Sequence, residues 1–382
     1  MKKIKIIISV AVIIITIFAI NNFVYALMTT TEYASVLYSD NMGGILSQQN
    51  TAMNNAKATY EGLGYTTFKV LEPGELTLTS NLNIANVLLT FSHGDMDSVV
   101  FDNIGLITGI SRIHNGIYHI SINNFDWTGK KLVVFCACNT VGYGSSDGTS
   151  IAGRVVTQGA QTSVGWYDEI SSIVSPTWLN YFNSKLADGY NPLVAVTYAN
   201  NAESYTFFTE IRHTLVSYTS LSPLSGNTTY MCTNPNSIMN QISYNGELKS
   251  SNIESILHEY DKSFKIDDYE ISYSDGIDLF DASNDTITKY TSYIDYNLKI
   301  GKYVTNSGYT IVIDKDKKVL DIIDNTKQFD YKSVEEVISK DTTEMHTDKT
   351  VEDTKYFFDV ETNKKYVKYE YKDNSYEIKE IS

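Results

Sequence analysis

Cysteine is scarce in this chain: among 382 residues there are three, Cys136, Cys138 and Cys232. Three are too few to staple a small secreted scaffold, and an odd number leaves at least one thiol free. Positive charge is short as well. The formal net charge of -15 argues against nucleic acid or an anionic membrane surface as the main partner. The acids Asp314, Asp316, Asp321 and Asp324 lack the spacing of an EF-hand. They read as a solvated turn, so no cofactor or metal is expected, and calcium stays an option without a motif behind it.

A second long apolar run is also missing, which gives weight to the first. Lys2, Lys3 and Lys5 precede an apolar stretch from Ile6 to Ile20, and Val24-Tyr25-Ala26 follows with small or apolar residues at the positions before a cleavage site. This is the pattern of a secretory signal peptide over residues 1–26, with a retained membrane anchor as the alternative if it is not cleaved. The expected product is secreted or associated with the cell surface.

The hydrophobic content of 42% supports a real core, and the length suits two units better than one. Charge divides unevenly between them. Residues 251–382 hold 29 acidic and 18 basic side chains, a net of -11, against -4 for residues 1–250. In the first unit, 27–220, apolar runs at 85–91 (ANVLLTF) and 131–135 (KLVVF) alternate with helical patterns such as 46–62, 148–158 and 172–188. Strands apolar on both faces, separated by helices, predict a mainly parallel α/β sheet covered by helices on both sides. A Ser/Thr/Asn-rich linker is expected over 221–250. Tyr- and Ile-bearing strands with tight polar turns, Asn306-Ser307-Gly308 among them, then predict a small α+β or mostly β module over 251–382.

Two of the buried runs end in reactive side chains: VLLTFSHG, ending at His93-Gly94, and LVVFCAC, ending at Cys138. In parallel sheets, sites gather beyond the carboxyl ends of strands. Adjacent strands would bring an imidazole to a thiol, the pair that thiol catalysis requires. The Gly94 and Cys138 amides are then candidates for an oxyanion site.

An apolar run ending in His-Gly, followed 45 residues later by one ending in Ala-Cys, resembles the caspase-like (clan CD) cysteine peptidases. Residues 148–165 and the Trp166-Tyr167-Asp168 that follow are most similar to the CHAT and separase branch; the likeness covers roughly residues 33–202. The resemblance implies a protein or peptide substrate, attack by Cys138, proton delivery by His93, and Asp168 as an acid that receives a basic P1 side chain. The caspase Gln-Ala-Cys-x-Gly signature is absent, since the chain reads Cys136-Ala137-Cys138-Asn139-Thr140; caspase specificity for Asp is therefore not implied. The plainer alternatives are a core role for Cys138, the common fate of a free cysteine, and a catalytically silent caspase-like protein that binds or regulates. Cys136 is expected inside, on the same strand face as Cys138, with a Cys136–Cys232 disulfide as the other option. His114 and His119 read as strand or loop surface, and His213 and His258 as structural.

Overall fold

The computed structural model describes residues 31–40, 46–95, 97–114, 116–141, 150–172, 174–202, 209–224, 236–242, 248–339, 351–372 and 376–381. The expected signal peptide and Cys232 lie outside them. Among the described residues no helix is long and apolar enough to cross a membrane.

The first sheet grows from alternating strands and helices: β1 (Tyr33–Tyr38), α1 (Leu46–Gly62), β2 (Thr66–Leu71), α2 (Glu75–Ile84) and β3 (Val87–Phe91). An insertion follows with β4 (His93–Asp95), β5 (Ser98–Val100), β6 (Ile104–Ile107), β7 (Arg112–His114) and β8 (Ile117–Ser121), which form a small sheet of their own. The main chain path resumes with β9 (Leu132–Cys136), α3 (Ile151–Thr157), β10 (Thr162–Trp166), α4 (Ser175–Ala187), α5 (Pro192–Ala202) and β11 (Thr214–Tyr218). Strands β2, β1, β3, β9 and β10 are parallel neighbours in that order. This is the mainly parallel α/β sheet that the apolar runs predict.

Burial explains the pattern. Every residue of β3, β9 and β10 is buried, because both faces are covered. Val87, Leu89 and Phe91 point to the side packed by α1, α4 and α5, with Met53, Trp178 and Val196 in the same cluster. Leu88, Val133 and Phe135 point the other way, onto Leu78 and Leu82 of α2, Ile151 of α3, and Leu106 and Ile120 of the small sheet. The two-residue period of a strand puts successive side chains on opposite faces, so only a continuous apolar run satisfies both. Pro176 sits at the start of α4, where no helical N–H is lost.

The remainder of the chain comprises α6 (Ile253–Tyr260), β12 (Tyr269–Asp275), β13 (Ile277–Asp281), β14 (Thr286–Lys289), β15 (Ser292–Ile300), β16 (Tyr303–Ile313), β17 (Val319–Asp324), α7 (Tyr331–Ser339), β18 (Val351–Asp359), β19 (Lys364–Tyr371) and β20 (Tyr376–Ile381). Most of it forms a second, largely antiparallel sheet ordered β12-β15-β16-β18-β19-β20, with β17 paired to β16. Three details depart from the sequence reading. First, β13 and β14 leave the expected C-terminal module and extend the first sheet, β13 running parallel to β11 over Thr214↔Ile277 to Tyr218↔Asp281. The expected linker is likewise divided: Leu221 and Leu224 pack on the core of the first sheet, whereas Ile238 and Leu248 are pinned to the second, through Ile238 N–H to the Ile322 carbonyl and Val319 N–H to the Leu248 carbonyl. Second, Asn306-Ser307-Gly308 is no turn but lies within β16, where a Cβ on Gly308 would collide with the Tyr296 carbonyl. Close backbone approach, rather than chain reversal, selects that glycine. Third, His119 is buried, its ring packed on Gly105 where a Cβ would meet Nε2 at 2.7 Å.

Candidate active site

The pairing of β3 with β9 sets Phe91 opposite Cys136, and the Ser92 amide donates to the Cys136 carbonyl at 3.2 Å. His93 and Cys138 each stand two residues beyond that register pair, on the same carboxyl edge of the sheet. The following residues close the distance further. Gly94 lies flat against the Cys138 backbone: a Cβ there would be 2.5 Å from the Cys138 carbonyl oxygen and 2.7 Å from the Ala137 Cβ. His93 opens β4 with an exposed side chain, opposite Val100. Asn139, directly after the cysteine, adopts a left-handed φ of 54°, which turns the chain sharply at this point.

Cys136 and Cys138 are both free. Cys136 is fully buried in the helix-covered core, and Cys138 is half-buried against the same cluster, as the shared strand face predicts. Burial pushes the Cys136 thiol far above its ordinary range, with further help from Cys138. Burial also raises the Cys138 thiol, and the Glu169 carboxylate pushes the same way, while hydrogen bonding with the Ile170 backbone offsets part of the rise. The Cys138 Sγ lies 3.8 Å from the Ile170 carbonyl oxygen. The Asn139 amide donates to the Asp168 carbonyl at 3.0 Å. The loop 167–170 after β10 is thus tied at two points to the cysteine turn.

The Asp168 side chain is not free to face the thiol alone. Its Oδ2 is 2.7 Å from His213 Nδ1, and each of these side chains is only 15% exposed. The His213 ring stacks on Tyr167, with centroids 4.2 Å apart and planes 19° off parallel. His213 immediately precedes β11, whose antiparallel pairing sets Thr214 opposite Trp166, so the imidazole reaches this edge from the opposite chain direction. Asp278, from β13, joins the group. Burial raises its carboxyl despite His213, Lys289 and a hydrogen bond from Tyr167 that favour the charged form. Asp275 is held low: burial raises it, but Lys289, which donates to its carboxylate, and then His213 more than offset that. Local pattern could not reveal His213 or Asp278 as neighbours of Asp168, because strand pairing across long sequence separations brings them there.

The four acids Asp314, Asp316, Asp321 and Asp324 do not converge. Asp314 accepts the Asp316 and Lys318 amides, Asp321 accepts the Ser237 hydroxyl, and Asp324 accepts the Tyr260 hydroxyl at 2.9 Å. Among the described residues, the carboxylates that do gather in a group of three are Asp40, Glu72 and Asp102, within 4.8 Å of one another. There Glu72 already accepts the Asp40 and Asp102 amides at 3.0 and 2.9 Å.

No protein-family model and no curated protein matches the chain. Solved structures similar to it include the crystal structure of the Arg-specific cysteine proteinase gingipain R, at 10% identity and a TM-score of 0.37, over 91% of this chain and 66% of that one. Another is the complex of the RgpB pro- and mature domains of Porphyromonas gingivalis, at 10% identity and a TM-score of 0.35, over 92% and 68%. This chain thus spans just under two thirds of the length of gingipain R. The chemistry of the site rests on this chain's own residues.

Proposed function

We propose that this chain is an exported cysteine peptidase of the caspase-like kind, with Cys138 as nucleophile and His93 as proton donor to the leaving amine. One observation carries the reading: the Gly94 backbone lies against that of Cys138, on adjacent parallel strands ending in an imidazole and a thiol. In the reaction, the Cys138 thiol passes its proton to the His93 imidazole as sulfur bonds to the scissile carbonyl carbon, and that imidazolium is the donor in the next step. The Gly94 and Cys138 amides are suited to hold the resulting oxyanion. Collapse breaks the C–N bond, the amine leaves with a proton from His93, and water hydrolyses the thioester to regenerate the thiol.

A basic P1 residue suits the acids around the cysteine turn. Glu169 is exposed and close enough to raise the Cys138 thiol. Asp168 is hydrogen-bonded to His213, so its part in P1 recognition is joint rather than solitary. The test is labelling of the mature protein with acyloxymethyl ketone peptides carrying Arg, Lys, Asp or Asn at P1. A Cys138 adduct that is strongest with Arg or Lys, and lost in Cys138→Ala and His93→Ala, is the expected result.

A second reading has its own observation. Burial raises the Cys138 thiol and so disfavours the thiolate, as suits a silent binding module that keeps the fold. Correctly folded protein that labels with none of the four probes would favour it.

A further inference from the structure

A cleft of about 630 Å³ opens in the second sheet, beyond the residues that make the thiol site. Its lining is mixed: Ile294, Tyr296 and Ile313, only 3%, 4% and 8% exposed, stand beside four serines, Ser292 among them. Its rim carries Tyr273, 76% exposed, together with Lys317 and Asp275. A Tyr left this open on an edge strand has an apolar body and a polar tip ready for a partner.

The position of the cleft is what gives it meaning. Asp275 ends β12 two residues before β13, and β13 aligns Ile277 with Thr214, which aligns with Trp166. Asp275 therefore stands on the same edge as Cys138, at the same height above the sheet. Along that edge the order is β9, β10, β11 and β13, so three strand spacings, about 14 Å, separate the thiol from the cleft mouth. Asp168 and His213 line the way between them, and Asp275 is near enough to His213 to be stabilised by it. An extended chain advances about 3.3 Å per residue, so about four residues cover that span.

We infer that this cleft is a remote subsite of the same peptide-binding edge, taking an aromatic or long aliphatic side chain about four residues from the scissile bond. The inference rests on the peptidase reading. Uniform binding of this kind shows as a requirement for longer substrates. A concave cleft that offers aromatic and aliphatic side chains among a few polar groups also matches how peptide side chains are read.

The experiment uses full-length mature protein and fluorogenic peptides holding a single Arg. One set is short. The others extend it with Ala to put Phe, or Ala in its place, four residues away on either the amino or the carboxyl side. The expected result is a kcat/KM at least tenfold higher with Phe on one side only. That gain should vanish in Tyr273→Ala and in Ser292→Trp, which fills the cleft, while turnover of the short peptide stays within twofold. Equal turnover of Phe and Ala peptides, or variants that slow short and long peptides alike, would overturn the subsite. Absence of Cys138 labelling by a short Arg probe would instead sink the peptidase reading itself, which keeps the two failures apart.

Discussion

Gly94 and Cys138 touch through their backbones, with a hypothetical Gly94 Cβ only 2.5 Å from the Cys138 carbonyl oxygen. The two chemical motifs of this chain are therefore held together by an absence of side chain. Glycine is needed here for close approach and not for an unusual φ.

Gly94→Ala should then separate the imidazole strand from the thiol turn without emptying the core. A displacement of about 1 Å at a reacting pair costs on the order of 10²-fold in rate. The second-order rate of Cys138 labelling by an Arg probe should fall by about that factor. The far-UV spectrum should be unchanged. Full labelling by the variant would mean that the contact does not set the site geometry.

Glu169 and burial both raise the Cys138 thiol. The pH profile of its alkylation by iodoacetamide should accordingly have a midpoint above that of a free thiol in solution. Removing the negative charge with Glu169→Gln should move the midpoint down, because a carboxylate disfavours a neighbouring thiolate. An upward movement, or none, would place Glu169 too far away to matter.

Arg212 makes a paired contact with Asp295, at 3.1 and 2.6 Å, with both side chains buried. Its guanidinium also lies over the Tyr293 ring, 4.6 Å from the centroid. Removing one partner leaves a buried charge unmatched, which costs about 3–5 kcal/mol. Arg212→Ala should lose stability on that order in urea denaturation, and replacing both residues by apolar ones should lose less. The same contact, together with β13 in the first sheet, binds the two halves of the chain. Residues 27–220 expressed alone should aggregate, and should recover solubility when residues 236–382 are co-expressed.

Lys130 is buried and donates to the Leu82 and Ala85 carbonyls, the latter at 2.9 Å. Burial lowers its pKa to about 8, against an opposing pull from Asp126. A lysine whose folded pKa lies below its unfolded value binds fewer protons when folded, so its contribution to stability rises with pH between those values. Stability of the parent relative to Lys130→Met should thus increase from pH 8 to about 10. Parallel denaturation curves for the two proteins across that window would contradict the assignment.

Much of the first sheet was legible because burial leaves a local trace. Val87 to Phe91 and Leu132 to Cys136 are apolar at every step or nearly so, and a strand covered on both faces must be. Helix α1 runs over 46–62 as its spacing predicts. The small sheet of β4 to β8 left a weaker trace, since its strands are short and several face water. At Gly308 a polar Asn-Ser-Gly triplet looks like a turn, and the strand wins because the partner backbone at Tyr296 demands a residue without a side chain.

That an imidazole and a thiol follow two buried strands is legible from the residues alone, since strand burial and chain order are both written locally. What surrounds them depends on the folded chain. His213 meets Asp168 through an antiparallel strand 45 residues later, and Asp278 arrives from the far side of the expected boundary because β13 pairs with the free edge of β11. Backbone hydrogen bonds at a sheet edge carry little side-chain signature. Which distant segment satisfies that edge is settled by the packing of the whole chain.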